Sequence, residues 1–262
     1  LSKLPVFLEN QQKGNYKVHL DPGLNGADVA LHIGMAYDAD PEIGKLLRNK
    51  DFRHALALGI DRDQLNEAFW LGVGTPGSVA PAPDTVYSPG PEWNKKWGVL
   101  DLKQANDLLD KVGLTKKDAE GYRLRQDGKG RLRLEMVTVG GQFVPYTQVG
   151  EMIKQQWKKI GVDLDVKELE RNLAFTRDNG SENQMITWAN DGSEMLFLFP
   201  RHALPVDAAE SHMGMAFAKW YASRGASGKK PDDPEMIRAF DLFRSAFGMK
   251  EEDRVKAAKE IW

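Results

Sequence analysis

The stretch Trp188-Ala189-Asn190-Asp191-Gly192 gathers residue types suited to holding a small solute. An aspartate at the end of a strand can meet an ammonium group in a partly dry cleft. A tryptophan face offers apolar area and cation–π attraction. The same indole would stack equally well on a sugar ring. Asn-Asp-Gly is also a strong turn signal, so Asp191 has a second reading as the organiser of a turn.

Other patterns point away from chemistry. Gly72-x-Gly74-x-x-Gly77 matches the dinucleotide fingerprint by letter. That mechanism needs a strand before the glycines and a helix N-terminus after them. Here a helix precedes the run, Pro76 interrupts it and a Pro-rich loop follows. Arg123, Arg125, Lys129, Arg131 and Arg133 give a basic hairpin, which reads as a solvated outer face. Its alternation sends Tyr122, Leu124, Leu132 and Leu134 to the other side. His202, Asp207, Glu210 and His212 fit neither H-x-x-x-H nor H-E-x-x-H, and Pro205 breaks the helix such a pair needs. They read as caps and surface groups. No G-x-S-x-G elbow is present; Gly192-Ser193-Glu194 lacks the second glycine. Asp163 and Asp165 alternate along a strand toward solvent. A secreted hydrolase remains the rival reading from another class.

The elements that must position these residues are strands mixed with helices. Residues 16–20 and 28–35 read as strands around the turn Asp21-Pro22-Gly23. A helix pair follows over 51–71. Phe52, Leu56 and Ile60 share one stripe, and Asp61 caps the second helix with Gln64 as capping-box partner. Residues 73–98 are loop, because five prolines between Pro76 and Pro91 forbid regular helix. Asp101 caps a helix over 102–112, and Gly113 ends it. Residues 122–139 read as a hairpin about Asp127-Gly128-Lys129-Gly130. An amphipathic helix over 145–160 places Tyr146, Val149, Ile153, Trp157 and Ile160 on one face. Gly161 stops it before a strand at 162–166. A short helix near 172–178, a strand at 184–188 and helices near 212–223, 234–247 and 250–262 complete the chain. Without strict βαβ alternation, the pattern favours an α+β (mixed α/β) fold with a mixed sheet.

Composition narrows the function classes. The chain has 262 residues, 41% hydrophobic and 28% charged, as an ordinary globular fold requires. Lys and Arg number 36 against 38 Asp and Glu, for a net charge of -2. That balance argues against a nucleic-acid partner. No apolar run reaches the roughly 18–20 residues of a membrane helix. No cysteine is present, which excludes disulfides and thiolate metal sites. The chain opens on Leu1, and Trp262 falls inside a helical pattern with no C-cap after it. Both ends read as those of a piece of a longer chain, with any export signal upstream.

The order of motifs resembles the solute-binding proteins of ABC importers, family 5, the oligopeptide/dipeptide-binding type. One signature appears as Asp51, Arg53, Ala55, Leu56, Gly59, Ile60, Asp61 and Arg62, then Gly72, Gly74 and Pro76. A second appears as Asp127-Gly128-Lys129, Leu132 and Ile160-Gly161-Val162-Asp163-Leu164. Thr176-Arg177, eleven residues before Trp188, with Asp191 beyond, is similar to the family's Thr-Arg…Trp-x-x-Asp. The tail Lys219-Trp220-Tyr221, Gly225, Gly228, Pro231 and Pro234 resembles a long-chain branch that includes oligosaccharide binders. The resemblance runs from about residue 28 to the end.

It implies the second lobe of a two-lobed, type II periplasmic-binding-protein fold. Residues 1–35 would carry strands arriving from the other lobe, 36–200 the mixed α/β core and 201–262 a helical tail. It implies Trp188, Asn190, Asp191 and Arg177 as ligand-binding residues. In peptide-binding members the Asp at the Asp191 position pairs with the ligand's α-amino group. Those members continue Tyr-x-x-Pro, whereas this chain continues Gly-Ser-Glu-Met, and Met185 stands where some carry a second Arg. The expected ligand is an oligopeptide, with an oligosaccharide as the alternative. The expected protein is a monomeric periplasmic or lipid-tethered receptor that closes on its ligand and docks on a membrane permease, with no cofactor, no metal and no catalytic residue.

Overall fold

The computed structural model describes residues 3–21, 23, 25–142 and 144–262. Two short helices, α1 (Leu4–Glu9) and α2 (Gln11–Gly14), lead to β1 (Ala27–Ile33). Then come α3 (Pro41–Arg48), α4 (Lys50–Leu58), α5 (Arg62–Trp70), α6 (Pro91–Lys95) and α7 (Leu102–Lys111). The centre of the chain alternates: β2 (Arg133–Val139), α8 (Tyr146–Lys158), β3 (Asp163–Leu169), α9 (Arg171–Asn179) and β4 (Met185–Asn190). Two 3₁₀ turns, Ser193–Met195 and Pro200–His202, precede α10 (Met215–Ala222), α11 (Pro234–Ala246) and α12 (Glu251–Ile261).

The sheet order is β1-β4-β2-β3. β2 runs parallel to β3 and β4, and β1 runs antiparallel to β4. Successive side chains of a strand point to opposite faces. Leu134 and Met136 therefore join Val149, Ile153 and Trp157 of α8 in the main core. Val137 and Val139 join Ala174 of α9 on the other face, with Ile186 and part of Trp188. A third cluster, around Phe217, Phe240 and Phe243, holds the C-terminal helices together. Trp220 and Tyr221 pack there against Phe240.

Helix starts follow local chemistry. Asp40, Asn49, Asp61, Asp101, Glu170 and Asp233 each accept backbone N–H groups at a helix N-terminus. Gly161 ends α8 at φ +77°, and a Cβ there would stand 2.8 Å from the Gly121 carbonyl oxygen. Only glycine fits both conditions without strain.

Several expectations are corrected. Residues 16–20 form no strand; the Tyr16 hydroxyl donates to the Phe7 carbonyl and Val18 N–H to Gln11 Oε1. The 122–139 hairpin reduces to two isolated bridges, Lys117–Arg123 and Leu124–Arg131, because β2 finds its partners in β3 and β4. Arg123 does not face solvent. It is 1% exposed, with Nε donating to the Ile160 carbonyl at 2.9 Å and Nη2 to Asn106 Oδ1 at 2.7 Å. Its Nη1 meets Asp110 and the Leu114 carbonyl. A guanidinium with five fixed donors ties together the ends of α7 and α8, which no alternation rule foresees. His202 and His212 are buried, not surface groups. Asp163 is half-buried and paired to Arg133 at 2.8 Å, while Asp165 is exposed. The 73–98 loop contains one short helix, α6.

Candidate ligand site at the end of β4

In a parallel sheet the helices that follow each strand leave the strand C-termini open, and ligands collect there. β4 ends at Asn190, beside β2, with the N-terminus of α9 above it. Trp188 is half-buried on the α9 face. Its ring lies 5.2 Å from Phe175 and 5.9 Å from Tyr146, centroid to centroid. The Arg171 guanidinium sits over the indole at 5.1 Å.

Asn190 turns inward. It is 1% exposed, and its amide donates to the Val79 carbonyl at 3.0 Å and to Ser193 Oγ at 3.1 Å. Its own carbonyl accepts Gly26 N–H. The residue thus fastens the strand end to the Pro-rich loop and to the start of β1. Asp191 is exposed. Its N–H donates to His202 Nδ1 at 3.0 Å, and its carboxylate has no hydrogen-bond or ion-pair partner among the described residues. Gly192 follows at φ +80°, where a Cβ would overlap Phe199.

Arg177 is placed elsewhere. It donates to Glu135 Oε1 at 2.7 Å, near the start of β2. The Val137–Ile186 register puts Glu135 seven residues along the strand from Asp191, or roughly 20 Å at about 3.3 Å per residue. The helix α9 explains this separation: Arg171 lies at the end near Trp188, and Arg177 lies at the opposite end. Arg171 meets Trp188, Asp191 lies three residues further on with its charge felt by Tyr146 beside that indole, and Arg177 is bound to Glu135 instead.

Sequence reasoning missed three contributors. Tyr146, placed only on the apolar face of α8, packs against Trp188. Burial, together with the negative charges of Asp191 and Asp28, pushes its hydroxyl up to about 12, so it stays a neutral phenol. Arg171 carried no motif. The histidines His32, His202 and His212 come from segments far apart in sequence and close behind the strand end. Among the described residues no three His, Asp or Glu side chains are arranged to hold a metal, and no helix is long and apolar enough to cross a membrane.

Two cavities border the segments that Asn190 fastens: Gly26 and Val79 help line the first, and Val79 also lines the second. One of about 460 Å³ runs between β1 and helices α4 and α5, where Trp70 Nε1 donates to Asp28 at 2.9 Å. Another of about 560 Å³ lies between Trp93, Trp97 and the α11–α12 pair.

A four-stranded mixed sheet flanked by helices, with a polar and aromatic cluster at its open strand end, defines a mixed α/β lobe. The sequence model described as bacterial extracellular solute-binding proteins, family 5 Middle, matches residues 3–200, and the chain belongs to that family. It is 30% identical over 139 residues to a periplasmic alpha-galactoside-binding protein of Rhizobium meliloti (strain 1021). That match covers 49% of this chain and 19% of the relative. Among solved structures it resembles an oligopeptide-binding protein OppA, with TM-score 0.83 and 26% identity over 99% of this chain and 42% of that one. It also resembles the periplasmic binding protein MelB of Agrobacterium fabrum C58 in complex with stachyose, with TM-score 0.73 and 17% identity over 99% of this chain and 39% of that one. The second likeness bears on the fold alone. The chain spans less than half the length of each of these proteins.

Proposed function

We propose that this chain is one lobe of a two-lobed periplasmic receptor that captures a solute and hands it to an ABC importer's membrane permease. No bond is made or broken in this role. Ligand binds between lobes, and hinge closure presents the closed form to the permease. Trp188, Asp191 and Arg171 are the ligand-facing groups. Asn190 acts by holding the turn, and Arg177 acts by bracing α9 against β2.

Within this role we favour an oligosaccharide. The observation that carries it is the Arg171 guanidinium over Trp188. It already fills the cation–π position that a peptide's α-amino group would use. An indole edge, a guanidinium and a free carboxylate suit a ring bearing adjacent hydroxyls, which need both donors and acceptors. The α-galactoside-binding relative agrees with this choice. An oligopeptide remains the second reading, because the unpartnered Asp191 carboxylate could equally meet an ammonium, and one similar structure is an oligopeptide-binding protein.

Titration of the intact protein with stachyose and with a tetrapeptide, followed by calorimetry, separates the two. Stachyose binding that survives Asp191→Asn within about tenfold, and falls further in Trp188→Ala, supports the sugar reading. Tetrapeptide binding abolished by Asp191→Asn supports the peptide. Binding of neither, across wider sugar and peptide panels, overturns the receptor role.

A further inference from the structure

Three histidines converge behind the end of β4. His32 comes from β1, His202 from the second 3₁₀ turn and His212 from the segment before α10. They are 5%, 3% and 3% exposed. Their ring centroids lie 5.1, 5.5 and 5.8 Å apart. Each ring holds one partner. His32 Nε2 meets the Ala189 carbonyl at 3.2 Å, His202 Nδ1 accepts Asp191 N–H at 3.0 Å, and His212 Nδ1 meets Asp178 Oδ2 at 2.8 Å. Two of these contacts fall at the strand end on either side of Asn190, on Ala189 and Asp191.

The hydrogen bonds fix proton positions. A backbone N–H can only donate, so His202 Nδ1 must present a lone pair, and its single proton sits on Nε2. Nε2 of His202 and Nε2 of His212 are both buried without a hydrogen-bond partner among the described residues. A second proton on His202 would land on Nδ1 and set donor against donor at Asp191. It would also place a cation among two other imidazoles in a dry site.

We infer that neutral His202 is a positioning residue for the ligand-facing turn 190–192, and that acid releases this turn by protonating His202. The inference rests on the reading of Asp191 as ligand-facing, but the release of the turn does not.

The charges around His202 come from every side. His32 faces it from β1, and His212 from the segment before α10, with Asp178 of α9 behind. Asp191 faces it from the turn, and Arg201 lies on its own element. Arg201 is itself engaged by Glu210 and Asp207. Burial opposes the charged form most. His212 and Arg201 oppose it further, while Asp191 favours it. The balance holds His202 at about 4, and burial, with the other two imidazoles, holds His32 well below 6.5. The turn is thus held at neutral pH and freed only near pH 4.

The test is hydrogen–deuterium exchange across the 189–195 backbone in the intact protein at about pH 7 and about pH 4, corrected for intrinsic rates, with stachyose affinity measured in parallel. His202→Asn offers an oxygen that accepts Asp191 N–H but does not titrate. Protection in the wild type should drop at least about tenfold at the lower pH, while His202→Asn holds its protection within about threefold. Equal loss in both proteins, or loss in neither, overturns the inference. A switch in protection with no stachyose binding at any pH leaves the latch standing and removes the sugar reading. Should His202→Asn not fold, the ring-proton NMR titration of wild-type His202 decides: a midpoint near 6.5 overturns the inference and one near 4 supports it.

Discussion

The side-chain amide of Gln156 grips both backbone groups of Asp61, accepting its N–H at 3.0 Å and donating to its carbonyl at 3.2 Å. One residue of α8 thereby satisfies the break between α4 and α5. The same amide nitrogen donates to Gln64 Oε1 at 2.9 Å, which draws Gln64 away from the capping-box role its spacing suggests. Asp61 still caps α5 by accepting Gln64 N–H. Gln156→Ala leaves the half-buried Asp61 N–H without its partner, while the Asp61 carbonyl keeps Leu65 N–H, and should lower stability by about 1–2 kcal/mol. Urea unfolding followed by tryptophan fluorescence would show it; a midpoint equal to wild type would mean the break is held by other contacts.

Arg123 and Arg133 belong to the same basic run but should respond differently. Arg123→Ala removes a buried guanidinium from Asp110 and from carbonyls at the ends of α7 and α8, at a cost of about 3–5 kcal/mol. Arg133 is 64% exposed, and Arg133→Ala should change stability by no more than about 0.5 kcal/mol. Equal midpoints for the two variants would refute the buried role.

Stability should rise with pH between about 4 and 6.5. Folding keeps His202 and His32 below their ordinary value, chiefly by burial, so in this window the unfolded chain binds protons that the fold refuses. Their contribution is full above 6.5 and is lost as pH falls toward 4. The slope reaches about 1.4 kcal/mol per pH unit for each histidine. Arg125 holds Asp40 and Asp127 below the usual carboxylate range, so those groups lose their contribution only at lower pH. A urea midpoint that is the same at about pH 7 and about pH 5 would contradict the buried neutral histidines.

Gly192→Ala should cost about 1–3 kcal/mol, because φ +80° and the adjacent Phe199 side chain both exclude a Cβ. The loss should appear both as a lower melting temperature and as weaker ligand binding, since the turn carrying Asp191 must shift.

Arg177→Ala should weaken the brace to Glu135 and leave ligand affinity within about twofold, because the pair lies at the far end of the strands. Calorimetry with the bound solute checks this, and a tenfold loss would return Arg177 to the ligand site.

Local rules made much of the fold legible before any coordinates. Caps at Asp61 and Asp101, the apolar stripe of α8 and the stop at Gly161 depend on neighbours a few residues away, and the chain itself carries that information. The motif order sufficed for the family, and the Trp188–Asp191 spacing for the strand end. Alternation also placed Leu132 and Leu134 in the core, but it could not say that Arg123, on the opposite side by count, would be buried by the ends of two helices.

Sequence therefore determined the elements, the α+β class and the candidate strand, because propensity, capping and periodicity act over short stretches. Tertiary structure alone decided who meets at that strand's end. Asn190 turns inward because Val79, more than a hundred residues earlier, offers a carbonyl there. Arg171 reaches Trp188 and Arg177 does not, because six residues of α9, about 9 Å of helix rise, carry Arg177 back toward the start of β2. His32, His202 and His212 meet because β1, a 3₁₀ turn and the lead into α10 pack together. Contacts between distant segments are fixed by packing geometry, which residue spacing along a chain does not encode.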